Sequence, residues 1–126
     1  MTGKKVSEAD KIEANNLLEE VGEILESCVG CGMCKSLCPV FKVLREEGAS
    51  PRGKVILLSD KILDKVIFQC TLCGGCEVSC PLNVKVCDAI RKAREAMVLR
   101  GKGLKSNEAM VENVRKFGNV FGKVGD

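Results

Sequence analysis

One grouping of residues occurs twice and constrains the chain more than anything else in it. Cys28-Val-Gly-Cys31-Gly-Met-Cys34-Lys-Ser-Leu-Cys38-Pro39 is repeated, 42 residues further on, as Cys70-Thr-Leu-Cys73-Gly-Gly-Cys76-Glu-Val-Ser-Cys80-Pro81. Both copies read C-x2-C-x2-C-x3-C-P. They account for eight of the nine cysteines in 126 residues and leave Cys87 over. Three cysteines at successive two-residue intervals can wrap a tight loop around one face of a polynuclear centre. Gly30, Gly32, Gly74 and Gly75 are expected to let that loop take positive φ and turn backbone N–H groups towards the sulfurs. The fourth cysteine of each run tends to point away from that loop, and the proline after it starts the next segment at a fixed φ.

This spacing is the ligand run for [4Fe–4S] clusters. A cubane has four iron corners, each needing one thiolate, and donated N–H groups stabilise its negative charge and help set its potential. Three other uses of the thiols compete. Disulfides need an oxidising compartment and favour an even count, whereas there are nine cysteines here. One zinc ion held by Cys28, Cys31, Cys70 and Cys73 fits the spacing but leaves Cys34, Cys38, Cys76, Cys80 and both prolines unexplained. Two zinc sites match the number of thiols but not the repeated x2-x2-x3-Pro grammar. Cys87 reads most simply as a small buried hydrophobe beside a cluster, with a redox thiol or alternative ligand as the other use.

Composition narrows the classes of function. The chain has no His, Trp or Tyr and four Phe. Histidine-based acid–base catalysis, Ser-His or Cys-His nucleophiles and His-ligated zinc or haem are therefore excluded. So few aromatics leave little to stack single-stranded nucleic acid. The formal charge of +3, from 20 basic and 17 acidic residues, has no long single-sign block and does not point to a nucleic-acid partner. Two oxidised clusters with their thiolates, at about −2 each, would bring it to about −1. Aliphatic runs such as Val55-Ile56-Leu57-Leu58 are far short of the roughly 20 residues that span a bilayer. Met1-Thr2-Gly3-Lys4-Lys5 leads into charged residues rather than an apolar segment, so no signal peptide is expected. The expectation is a soluble, cytoplasmic protein with no membrane span.

Around the cysteines the apolar residues recur with helical spacing. Leu17, Leu18, Val21, Ile24 and Leu25 form a stripe over 8–27 that delivers Cys28. Val40 to Arg45 suggests a short helix stopped near Gly48. In Ser50-Pro51-Arg52-Gly53, Ser50 reads as an N-cap and Pro51 as the first helical residue of a helix carrying Val55, Ile56, Leu58 and Ile62. Asn83 is expected to cap a long helix with Val86, Ile90, Ala93 and Met97 on one face. After Gly101-Lys102-Gly103, Met110, Val114, Phe117 and Phe121 repeat the interval, as core or as partner-facing surface. No strand pair is evident, so the fold class is all-α. Arg52 and Lys54 read either as a solvated first turn or as cations near a cluster that raise its potential or dock an acidic partner.

The two cysteine runs, Ser50-Pro51-Arg52-Gly53-Lys54 between them, and Ala93-Arg94-Glu95 followed by Arg100-Gly101 resemble an α-helical ferredoxin domain, with helices around two [4Fe–4S] clusters. The likeness is to the N-terminal iron–sulfur domain of glycolate oxidase and lactate-utilisation iron–sulfur subunits. It extends more distantly to an iron–sulfur subunit of heterodisulfide reductase and to the second domain of succinate dehydrogenase and fumarate reductase iron–sulfur subunits. It covers most of 20–122, with 1–19 the N-terminal part of a leading helix and 123–126 a tail. By analogy with two-cluster ferredoxins, the fourth cysteine of each run serves the other cluster. One ligand set would be Cys28, Cys31, Cys34 and Cys80, the other Cys70, Cys73, Cys76 and Cys38.

The Cys-Cys-Gly repeats that follow this domain in larger relatives are absent, and the Asn-Pro-Phe-Gly segment near the join is represented by Asn119-Val120-Phe121-Gly122. The resemblance thus implies the electron-transfer half of a split protein, or a free-standing remnant, with catalysis on another polypeptide. Eight ligand cysteines saturate the irons, and no residue suggests substrate chemistry, so a non-catalytic electron-transfer subunit of an oxidoreductase is expected. The partner implied is an FAD-dependent 2-hydroxyacid dehydrogenase or a Cys-Cys-Gly-repeat subunit. The alternatives are a heterodisulfide-reductase-type subunit and a structural or sensory iron–sulfur protein.

Overall fold

A computed structural model describes residues 6–123, all of whose regular elements are helical. The termini 1–5 and 124–126, including the start that bears on a signal peptide and most of the expected tail, lie outside the described residues. The elements are α1 (Glu8–Leu25), α2 (Pro39–Leu44), α3 (Pro51–Ser59), α4 (Gly75–Ser79), α5 (Val86–Leu99) and α6 (Lys105–Phe117). Short 3-10 turns cover Lys35–Leu37, Glu47–Ala49 and Lys65–Gln69. The all-α expectation holds.

The scaffold is the pairing of α1 with α5. Ser7 starts α1 with a capping box: its hydroxyl accepts from the Asp10 N–H while the Asp10 carboxylate accepts from the Ser7 N–H. Ala14, Leu18, Val21 and Leu25, at helical intervals, are buried, and Ile90, Ala93, Ala96 and Met97 form the buried face of α5. Lys92 pairs with Glu20 at 2.7 Å, and Arg100 donates to Asn15, so polar contacts line the edges of the apolar seam. Val55 and Leu58 of α3 and Ile67 of the last 3-10 turn complete the core against which the cysteine loops lie.

Four local expectations are corrected. The helix after Pro39 ends at Leu44, because Arg45 adopts the left-handed conformation, and does not continue to Gly48. Ile62 lies beyond α3, and both it and Ile56 are exposed, so only Val55 and Leu58 of that stripe reach the core. Asn83 does not cap α5. It sits at φ 55° in the turn before the helix, and the Glu77 carboxylate instead accepts the Cys87 N–H at 3.0 Å. Phe121 lies outside α6, which ends at Phe117 with Gly118 in the left-handed region, and α6 buries none of its residues.

Candidate metal centres

The two cysteine loops share a backbone as well as a sequence. Gly30 and Gly32 take φ 73° and 78° in the first, and Leu72 and Gly74 take 57° and 80° in the second. Positive φ in the second loop therefore falls on Leu72 and Gly74, and not on the expected Gly75, which enters α4. A leucine in this region costs about 1 kcal/mol relative to glycine. The turn aims the Leu72 N–H at Cys70 Sγ, 3.4 Å away. Each loop then closes with the same bond, Lys35 N–H to Gly32 O and Glu77 N–H to Gly74 O, both at 3.1 Å. Cys38 is the N-cap of α2, with its sulfur accepting from Phe41 N–H at 3.5 Å, and Pro39 is the first helical residue. Pro81 opens only a turn.

The thiols surround two cavities. One is lined by Cys28, Cys31, Cys34 and Cys80, with Cys76 at its wall. The other is lined by Cys38, Cys70, Cys73 and Cys76, with Cys87 at its wall. Each cavity thus collects three thiols from one run and a fourth from the other, and Cys76 and Val86 border both. All nine cysteines are free thiols. Among the described residues, no three Cys, Asp or Glu side chains come close enough to share one metal ion. Tetrahedral sulfurs on one zinc would lie about 3.8 Å apart, from bonds of about 2.3 Å. Thiols spread around a cavity, with N–H groups aimed at some of the sulfurs, suit the wider corners of a cubane.

Burial acts on the innermost thiols. It pushes Cys76 up to about 12, with the neighbouring Cys87, Cys70 and Cys34 adding to the effect. Burial also raises Cys34, whose own N–H works the other way while Cys28, Cys31 and Cys80 add to the rise. Those three neighbours are the other thiols of its cavity. Cys87 is raised by burial and then by Glu77. Cys31 and Cys73, the second cysteine of each run, are exposed. Each cavity therefore has one thiol at the surface, and Cys76 borders both.

The segment between the runs ties the cavities together. Ser50 Oγ accepts from Gly53 N–H at 2.9 Å and donates to Glu47 O at 2.6 Å, which fixes the start of α3. Arg52 Nε donates to Gly30 O at 2.8 Å and its guanidinium pairs with Glu47 at 2.9 Å, beside the first cavity. Glu47 also pairs with Lys35 at 2.6 Å, and these two cations, Lys35 first, hold its carboxyl below the usual range. Lys54, two residues on, lines the second cavity.

Two further residues carry no motif of their own. Arg94 of α5 donates to Ile67 O and Cys70 O, and its guanidinium lies 5.8 Å from the centre of the Phe68 ring, anchoring the entry to the second run. Glu77 ties α4 to the start of α5 through Cys87. Both act over intervals that no short pattern marks.

The fold and the site together describe a helical module for a pair of iron–sulfur clusters. Residues 24–84 match the family described as the 4Fe-4S dicluster domain, which carries two [4Fe–4S] clusters. Among curated proteins, the chain is 29% identical over 84 residues to the glycolate oxidase iron–sulfur subunit of Escherichia coli, covering 60% of this chain and 21% of that protein. It is 29% identical over 112 residues to a CoB–CoM heterodisulfide reductase iron–sulfur subunit of Methanocaldococcus jannaschii, covering 86% of this chain and 60% of that one. A subunit of the ferredoxin/F420H2-dependent CoB–CoM heterodisulfide reductase of Methanosarcina acetivorans is 29% identical over 116 residues, covering 86% and 68%. The chain spans about a fifth of the first of these relatives and three-fifths of the second.

Proposed function

We propose that this chain is an electron-transfer subunit in which Cys28, Cys31, Cys34 and Cys80 hold one [4Fe–4S] cluster and Cys38, Cys70, Cys73 and Cys76 hold the other. The observation that carries the reading is the pair of adjoining thiol-lined cavities that share Cys76 as a wall. Each cluster, when bound, accepts and gives up one electron. The chain's own residues would bring the two centres side by side, with Cys76 buried between them and Cys31 and Cys73 at the surface. Cys31 and Cys73, exposed on either cavity, are where a donor and an acceptor would approach such a pair, which would supply one-electron relay when bound. With four thiolates per cluster no coordination position stays open for substrate, so the catalytic step belongs to a partner.

The unit that does this runs over 20–122, with α1 as its leading helix. The partner is an FAD-dependent 2-hydroxyacid dehydrogenase or a Cys-Cys-Gly-repeat subunit, supported by the likeness to the glycolate oxidase protein. A heterodisulfide-reductase-type assembly is the second reading, favoured by the greater share of this chain aligned with the heterodisulfide reductase proteins. Nine free thiols suit the reducing cytoplasm. Among the described residues, no helix is long and apolar enough to cross a membrane.

Anaerobic purification tests the cofactor assignment: about eight irons and matching sulfide per chain, with interacting paramagnetic signals after reduction, are expected from two cubanes. Zinc in place of iron would overturn it. Copurification from the native host separates the partners, a flavoprotein pointing to the first reading and a thiol–disulfide enzyme to the second.

A further inference from the structure

Lys54 is the single buried charged side chain among the described residues, 1 % exposed. Its ammonium donates to Ala49 O at 2.6 Å, and no carboxylate among the described residues pairs with it. Lys54 is among the residues that line the cavity of Cys38, Cys70, Cys73 and Cys76. A buried ammonium without a counter-ion is strongly unfavourable unless an anion shares the space. A four-thiolate cubane supplies that anion, carrying about −2 when oxidised and about −3 when reduced.

Arg52 makes the contrast. It borders the other cavity, but its side chain is 36 % exposed and its charge is paired with Glu47. Solvent and Glu47 both weaken its field at the first cluster, while the field of Lys54 is screened by neither. Glu77 acts on Cys87 at the wall of the second cavity, and its carboxylate is bonded to the first turn of α5, where the positive end of that helix offsets it.

We propose that Lys54 is a built-in counter-charge for the cluster of Cys38, Cys70, Cys73 and Cys76, a positioning residue that raises the reduction potential of that cluster selectively. The inference rests on the two-cluster reading above. A fixed positive charge stabilises the more negative, reduced state, so its removal lowers the midpoint. Arg52 acts on the other cluster, and more weakly.

The test is EPR-monitored potentiometry of the anaerobically purified holo-protein with dithionite as reductant, comparing wild type, Lys54→Met and Arg52→Met. A Cys73→Ser variant identifies the signal of the second cluster by moving its midpoint. Lys54→Met is expected to reduce the equilibrium constant for reducing that cluster at least tenfold, a fall of about 59 mV for one electron, with the other cluster nearly unmoved. Arg52→Met is expected to give a smaller shift, on the other signal. Unchanged midpoints in a fully loaded Lys54→Met protein would overturn the proposal, as would an equal fall at both clusters. If Lys54→Met fails to load the second cluster, Lys54→Arg decides. Recovery of that cluster supports charge compensation, and failure of both variants assigns Lys54 to packing and overturns the proposal. Wild-type protein lacking two clusters overturns the two-cluster reading itself, a result visible in the iron count before any variant is compared.

Discussion

Gly53 lies so close to Glu47 that a Cβ added to it would stand 1.9 Å from the Glu47 carbonyl oxygen and 2.7 Å from the carbonyl carbon. Both obstacles are backbone, so no side chain can swing aside. This contact seats the start of α3 on the 3-10 turn Glu47–Ala49, and it sets Arg52 against one cavity and Lys54 against the other. Gly53→Ala must push the two backbones apart. The expected cost is about 3 kcal/mol or more, with reduced iron content at both centres, read from thermal melting and iron assay.

Cluster removal is expected to collapse the fold. The two cavities lie against the main apolar core, and Cys76 belongs to that core. Without their contents, the cross-links between the two runs vanish and the small core is left with gaps. After chelation and dialysis, far-UV circular dichroism should show lost helix and no sharp melt. A cooperative, native-like melt of the apo-protein would sink the claim.

Assembly should depend on pH in a definite direction. In whatever folded form the chain keeps without clusters, a thiol whose pKa is raised contributes stability that is fully present below its ordinary value of 9.0 and lost as pH climbs through the folded value, about 12 for Cys76. Cluster ligands must be thiolates, so loading releases those protons and competes less with them as pH rises. Anaerobic reconstitution is expected to become more favourable from pH 7 to pH 9, with acid released in a weakly buffered solution. Loading that is indifferent to pH would contradict this.

Cys87 is buried, its N–H is held by Glu77 and its thiol meets Cys76 at the wall of a cavity already lined by four run cysteines. We expect Cys87→Ala to retain about eight irons per chain and to lose about 1 kcal/mol of stability through the small void it leaves. Loss of half the iron would instead mark Cys87 as a ligand.

Helix α6 buries none of its residues, and Met110, Val111, Val114 and Phe117 on it are each more than two-fifths exposed. Truncation after Gly103 is therefore expected to leave the cluster spectra unaltered and to shift the melting temperature by only a few degrees, the effect of about 1 kcal/mol or less. Spectra that change would place α6 against the centres.

Several parts of the structure could be read along the chain because their causes are local. The C-x2-C-x2-C-x3-C-P grammar marks the thiols, Ser50-Pro51 marks the start of α3, and the 3.6-residue stripes of α1 and α5 mark the faces that meet. Each needs only neighbours within a few residues. Where local signals misled, a distant partner prevailed. Asn83 lost the capping role to Glu77 from another helix, and Leu72 accepted the left-handed turn expected of Gly75.

The burial of Lys54 belongs to this second kind. In sequence it is one lysine among the chain's 20 basic residues. Only the meeting of α3, the Glu47–Ala49 turn and the second cysteine loop removes it from water. Likewise, intervals within each run select the cysteines, but which thiols share a cavity depends on how two stretches 42 residues apart pack together. Ligand chemistry and helical class are written along the chain, because both follow from short-range spacing. Which charge faces which centre is settled in three dimensions, because an electrostatic environment is made by residues that are neighbours in space and not along the chain.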